Sequence, residues 1–216
     1  MTVDAERLDM PLGEAIFSQR SIRRFRPDPI TTDDLRLILE AAVKAPSGGN
    51  RQPARFLVLN DPEVIRQFGA LYHEAWWAKR RDENRPWTRR EEIPPEDRGN
   101  MAAARLADEI KDAPCIILAL TTSKGQASSV IPSVQNLMLA ARALGIGSVP
   151  TTLHPQVLER VYGLLGIPPE MEFHLCIPLG YPRGRFGPTR RREAAEVTYL
   201  NHWGAPVPWA AAAATP

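Results

Sequence analysis

Residues 132–152 read PSVQNLMLAARALGIGSVPTT, and two patterns meet in them. Val134, Leu137, Met138, Ala141 and Leu144 recur at helical spacing. They form the buried stripe of a helix predicted over about 132–144, with Gly145 in the position just past its end. The exit from this helix is the second pattern. Gly145-Ile-Gly-Ser-Val-Pro-Thr-Thr152 is a glycine-rich turn followed by two hydroxyls, and it offers backbone N–H groups to a flat polar ligand. Gln135 and Asn136 lie on the helix itself, where Asn136 reads equally well as a hydrogen-bonded residue between helices.

The elements on either side set the class. Residues 115–120 are a short continuous apolar run, as in a strand buried on both faces. Residues 155–165 read as a helix closed by Gly166, and 173–179 as another strand. Nearer the start, a short helix over 10–19 ends before Arg20. A clearer helix follows the Pro27-Asp28-Pro29 turn, capped by Thr31 or Thr32 and stopped at Pro46. A strand over 55–59 and a helix opened by Asp61-Pro62-Glu63 come next, then a helix over about 100–111. Helices and strands mix without strict alternation, which predicts an α+β layered domain and not a doubly wound sheet. One domain spans 1–216. Residues 73–100 stand apart, with Trp76, Trp77, Trp87, many charges and the breakers Pro86, Pro94 and Pro95, and are expected to form an insertion or lid. Residues 198–216 are expected to form a C-terminal arm.

Composition narrows the functional classes. The 216 residues are 44% hydrophobic and 24% charged, close to a globular average and far from a disordered chain. The formal net charge of +2 argues against a nucleic-acid coat. Only Lys44, Lys79, Lys111 and Lys124 are lysines, so arginine carries most of the positive charge. Cys115 and Cys176 sit inside apolar runs and read as inert core thiols. The four histidines are scattered, so no metal site is expected. No apolar run approaches the ~20 residues that cross a bilayer. A cytoplasmic protein with neither membrane nor nucleic-acid partner is the expectation. No GxGxxG or Walker A motif occurs.

Three more segments carry polar groups suited to a ligand. Arg20-Ser-Ile-Arg-Arg-Phe25 packs a hydroxyl and arginines into six residues, which suits a phosphate. Ala45-Pro-Ser-Gly-Gly-Asn-Arg-Gln-Pro53 lets backbone approach a ligand closely. Leu179-Gly-Tyr-Pro182 precedes the run Arg190-Arg191-Arg192. Taken alone, each also reads as plain structure: a solvated basic strand, a helix-to-strand loop, a strand end with a basic tail. Together, in this order, RSIRRF, APSGGNRQP, QNLMLAARALGIGS and LGYP…RRR resemble the nitroreductase-like family of FMN-dependent oxidoreductases, over about residues 14–197.

That resemblance implies an α+β fold with a mostly antiparallel central sheet flanked by helices, in an interlocked homodimer holding FMN at the subunit interface. It implies that Arg20 and Ser21 hold the phosphate or ribityl end, and that Arg23 approaches the pyrimidine edge of the ring. Pro46, Ser47, Asn50 and Gln52 match a second motif contributed across the interface. Pro150, Thr151 and Thr152 match the loop beside the flavin ring, where a backbone N–H faces the ring. Arg191, with Arg190 beside it, matches a C-terminal phosphate clamp, although Thr189 stands where the family often has lysine. Ala54 stands where an aromatic residue is frequent. The flavin is then the reactive centre and no catalytic side chain is required. NAD(P)H is the implied donor, and a nitroaromatic or quinone the implied acceptor, in a ping-pong reaction. Reductive dehalogenation, flavin breakdown and flavin sensing are alternatives on the same fold. Trp76, Trp77 and Trp87, with Tyr72, are candidates to stack on an aromatic acceptor, or else to seal an interface.

Overall fold

The computed structural model describes residues 4–210. Six helices and four strands follow one another as α1 (Leu12–Ser18), α2 (Thr32–Ala42), β1 (Ala54–Leu59), α3 (Pro62–Asp82), α4 (Arg98–Glu109), β2 (Cys115–Thr121), α5 (Ala127–Ala143), β3 (Gly147–Ser148), α6 (Pro155–Leu165) and β4 (Glu172–Gly180). The strands form one sheet in the order β1-β2-β4-β3, and every pairing is antiparallel. This is the α+β arrangement expected from the pattern of elements.

β2 explains why helices cover both faces. All seven of its residues are buried. Ile116, Leu118 and Leu120 face one hydrophobic cluster, with Phe68, Tyr72, Leu106 and Val157 from α3, α4 and α6. Cys115, Ile117 and Ala119 face a second, with Ile38, Val134 and Leu137 from α2 and α5. Side chains alternate across a strand, so one apolar strand joins both cores into a single unit. The two cysteines are free and buried, and burial pushes the Cys115 thiol up to about 12, which keeps it protonated and inert.

Local signals set most boundaries. Thr31 caps α2 by accepting from Asp34 N–H at 3.1 Å. Asp61 caps α3 and Pro62 occupies its first turn. Gly166 ends α6 in the left-handed region, at φ 62°. α5 starts at Ala127, earlier than predicted, and carries Pro132 inside it.

The segment 73–100 needs correction. Residues 73–82 are the last turns of α3 and not an insertion. Ile65, Phe68, Gly69, Tyr72, Ala75 and Trp76 form one buried stripe, so helical burial continues through the tryptophans. Only residues 83–97 form a loop. It is pegged down by buried Ile93, by Thr88 N–H donating to Glu92 Oε2 at 2.8 Å, and by Arg90 donating to Asp108 at 2.6 Å. The C-terminal stretch is also not simply extended. Residues 199–206 fold back in a short hairpin, with Leu200 N–H donating to Ala205 O at 3.0 Å, while 211–216 lie outside the described residues.

α3 is clipped to α6 by Glu74. Its carboxylate accepts from Arg160 at 2.9 and 2.5 Å and from Gln156 at 2.7 Å. Arg160 first, then Gln156, holds the Glu74 carboxyl down at about 2, against an ordinary 4.5. A depressed folded pKa stabilises fully above the ordinary value and loses that contribution as pH falls toward the folded one. Glu74→Gln is therefore expected to flatten the acid limb. Its melting temperature falls less than that of the wild type between about pH 5 and about pH 3, as read by thermal scans across that range.

Candidate functional site

The segment 20–25 is held along the free edge of the sheet. Ser21 bridges Ser148, and Ile22 N–H donates to Ser148 O at 3.0 Å. Phe25 bridges Pro182, and Arg26 N–H donates to Tyr181 O at 2.8 Å. Two glycines make this approach possible. A Cβ on Gly147 would lie 2.7 Å from Ile22 Cβ, and one on Gly180 2.8 Å from Phe25 Cβ. Glycine at 147 thus sets how closely Ser21 and Arg23 sit against the sheet. Gly147→Ala is expected to cost about 1–3 kcal/mol through overpacking. Ile22→Ala in the same background is expected to return only part of that loss, because it removes the two γ carbons the new methyl meets and leaves Cβ at 2.7 Å. Denaturant melts of the four variants in that cycle provide the check.

Arg23 lies in a neighbourhood of its own. Its guanidinium is half-buried, and burial, followed by the like charge of Arg20, draws its pKa down while Tyr72 opposes the shift. Tyr72 is fully buried, and its hydroxyl lies 2.9 Å from Thr151 Oγ1. Burial pushes that phenol well up, so it stays a neutral hydrogen-bonding group. Tyr72 is thus a support for Thr151 and not a stacking surface. Its place in the apolar stripe of α3 gave no sequence signal for this.

The loop at 150–152 has one free amide. Pro150 has no N–H, and Thr151 N–H donates to Cys176 O at 2.9 Å while Thr151 O accepts from Cys176 N–H at 2.8 Å. Among the described residues Thr152 N–H has no protein acceptor, and the residue is exposed. If a backbone donor of this loop meets a ligand, it is that of Thr152.

The C-terminal arginines arrive at the same region. Thr189 N–H donates to Phe17 O at 3.0 Å, three residues before Arg20. Arg190 and Arg191 follow directly and are exposed. Among the described residues no carboxylate pairs with Arg20, Arg23, Arg190 or Arg191.

The second motif sits elsewhere. Ser47 Oγ accepts from Gln52 N–H at 3.0 Å, Gln52 Nε2 donates to Asn50 Oδ1 at 3.2 Å, and Ser129 Oγ accepts from Gly48 N–H at 3.2 Å. Pro46 is exposed at the head of the loop. Gly49, Asn50 and Gln52 all have positive φ, at 57°, 54° and 49°. Such conformations are costly for Gln and concentrate where function demands them. This loop leads into Ala54, which pairs with Thr121 at one end of β2, whereas Ser148 pairs with Leu179 and Leu179 with Cys115 at the other end. At ~3.4 Å per residue the two ends of β2 lie about 20 Å apart. One chain therefore sets Arg20, Ser21 and Arg23 on one edge of the sheet, with Tyr72 linking Arg23 toward Thr151 and Thr189 bringing Arg190 and Arg191 near the start of that edge, and leaves Ser47, Asn50 and Gln52 at the far end of the sheet.

Of the three tryptophans, Trp76 is buried and Trp77 and Trp87 are half-buried. Trp76 is only 8% exposed, and Trp77 and Trp87 pack against the same core cluster. Trp77 meets Trp76 edge-on at 4.6 Å and donates to His73 Nε2 at 3.0 Å. Arg80 lies over the Trp76 ring at 5.0 Å. Trp76 is thus corrected from a substrate contact to a core residue. Among the described residues no cluster of metal-ligating side chains occurs, and no helix is long and apolar enough to cross a membrane.

Comparison with known proteins agrees with this architecture. The profile of the Nitroreductase family matches residues 16–181. An NADH dehydrogenase of Thermus thermophilus is 32% identical, over 82% of this chain and 89% of its own. An iodotyrosine deiodinase of Thermotoga neapolitana is 30% identical, over 76% of this chain and 84% of its own. Among solved structures, a nitroreductase of Desulfovibrio desulfuricans in complex with FMN superposes with a TM-score of 0.65 at 26% identity, covering 89% of this chain and 98% of that one. The chain belongs to the nitroreductase family.

Proposed function

We propose that this protein is an FMN- and NAD(P)H-dependent oxidoreductase that passes two electrons to an electron-poor acceptor such as a nitroaromatic or quinone. The observation that carries this reading is a run of arginines without carboxylate partners among the described residues: Arg20 and Arg23 on the sheet edge, Arg23 beside the Tyr72 that holds Thr151, and Arg190 and Arg191 just after the Thr189 that pairs with Phe17. The similar nitroreductase of Desulfovibrio desulfuricans that binds FMN supports the choice of cofactor. The residues fit that group chemically. Exposed arginines suit its dianionic phosphate, and a half-buried guanidinium suits the polar edge of a flat ring. Bound FMN would supply hydride acceptance from the donor and two-electron delivery to the acceptor.

The chain's own residues bind and orient. Arg20, Ser21, Arg190 and Arg191 hold the phosphate end. Arg23 places positive charge where negative charge develops on reduction, and its partial burial strengthens that effect. Tyr72 fixes the Thr151 hydroxyl. Thr152 presents the free N–H of the loop.

A second copy of the chain completes the site in this reading. Ser47, Asn50 and Gln52 lead into the end of the sheet opposite Ser148, so in this reading they reach a flavin held by Arg20 across an interface. Exposed Leu12, Phe17, Val43 and Ile131 suit such a contact, as does an apolar cavity of about 800 Å³ between α1, α2 and α5.

Initial-rate kinetics with NADH or NADPH and a nitroaromatic test the reading. Parallel double-reciprocal lines are expected, because donor and acceptor use one site in turn. Intersecting lines, or no turnover, contradict it. Reductive dehalogenation is the second reading, favoured by the similarity to the iodotyrosine deiodinase, and release of halide from a halogenated phenol distinguishes it.

A further inference from the structure

Helix α4 turns Arg98, Met101, Ala102 and Arg105 to one side, at the spacing of a single helical face. Arg23, Arg24 and Pro95 join them in lining an open cavity of about 340 Å³. Four of its seven lining residues are arginines. Arg24 pairs with Glu109 at 3.6 Å. Among the described residues no carboxylate pairs with Arg23, Arg98 or Arg105. Gathered like charges repel, and an anion between them removes that cost. Pro95, Met101 and Ala102 give the cavity an apolar wall, which suits a hydrocarbon body attached to the anion. Arg23 lines the cavity and also neighbours Tyr72 and Arg20, so the cavity opens beside the candidate site and is not a separate surface feature.

We propose that this cavity takes the oxyanion, a carboxylate or a phosphate, of the small molecule that exchanges electrons at the site. The inference rests on the oxidoreductase reading and deepens it to the charge class of the substrate. Arginine forks meet a carboxylate or phosphate through paired charge-assisted hydrogen bonds, a geometry that a neutral amide or hydroxyl does not reproduce. Either the acceptor or the dinucleotide donor can bring such a group, and binding of matched pairs tells them apart.

Calorimetric titration of the full-length protein with FMN bound is the test. The first pair is 4-nitrobenzoate and neutral 4-nitrobenzamide; the second is NADP⁺ and NAD⁺. The wild type is expected to prefer the more anionic member of at least one pair by about tenfold or more in Kd. A preference in the first pair assigns the oxyanion to the acceptor, and one in the second assigns it to the donor. In Arg98→Gln/Arg105→Gln the same preference is expected to fall below about threefold. Each single variant is expected to lose part of it, so the result does not depend on the double variant folding. Arg98→Lys is expected to retain more than Arg98→Gln, because charge persists while the fork is lost. A wild type with neither preference overturns the proposal, and so does a preference that survives both glutamine substitutions. These ratios need no turnover. Failure of the oxidoreductase reading shows separately, as a bound flavin that no nicotinamide donor reduces.

Discussion

Arg20→Ala combined with Arg191→Ala is expected to leave a folded protein that no longer retains FMN. Each arginine supplies a charge-assisted contact to a phosphate, and such contacts contribute about 1.5–3 kcal/mol apiece. Losing both weakens binding on the order of 10²–10⁴-fold. Neither side chain has a carboxylate partner among the described residues, and both are exposed, so folding stability is expected to change little. The check is the flavin absorbance that remains with the protein after gel filtration, beside titration of the stripped protein with FMN. Arg89→Ala is a matched control. It removes an arginine that pairs with Glu92 at 2.8 Å in the 83–97 loop. A double variant that stays fully yellow refutes the assignment of these two residues.

The second large effect is structural. Trp76→Ala is expected to destabilise the protein by about 3–5 kcal/mol, the range for deleting a buried aromatic side chain. For a domain of this size each kcal/mol shifts the melting temperature by roughly 2–4 °C. The loss arises because Trp76 packs among the buried side chains of α3 and β2, meets Trp77 edge-on and carries Arg80 over its ring. A tryptophan on a lid over the site would behave differently. Its removal would change acceptor binding and leave the melting temperature nearly untouched. Thermal or denaturant melts of the variant decide between these two places for Trp76.

That contrast shows where sequence was a good guide and where it was not. Residues 115–120 announced a strand buried on both faces, because only an unbroken apolar run satisfies two cores at once. Thr31, Asp61, Pro62 and Gly166 marked helix ends through local chemistry, and those ends fall as read. α3 was misread beyond Tyr72 for a physical reason. Its tryptophans and dense charges look like a compositional break, yet Tyr72, Ala75 and Trp76 continue one helical stripe, and the first proline comes only at residue 86. Pro132 misled in a different way. A proline is most at home in the first turn, so the helix was begun there, five residues after its true start.

The site divides along the same line. The candidate residue types were legible: arginines at 20, 23, 190 and 191, and a polar turn at 150–152. Their arrangement was not, since spacing along a chain says nothing of which segments share an end of the sheet. The return of Thr189 to Phe17, the hold of Tyr72 on Thr151, and the separation of Ser47, Asn50 and Gln52 from Arg20 are all tertiary facts. The occupied N–H of Thr151 likewise follows only from its pairing with Cys176. Arg98 and Arg105 do not stand out in the sequence as a pair on one cavity, because in an arginine-rich chain they read as solvated charges.

In the proposed reaction a flavin held by these arginines takes electrons from a nicotinamide and returns them to an acceptor. The most direct measurement is the visible spectrum of the protein mixed with one equivalent of FMN and separated from free flavin, followed by anaerobic addition of NADH and NADPH in separate cuvettes. The expected result is a bound oxidised-flavin spectrum that bleaches with at least one donor and returns when a nitroaromatic or quinone is added. A protein that emerges colourless, or one whose bound flavin neither donor bleaches, contradicts it.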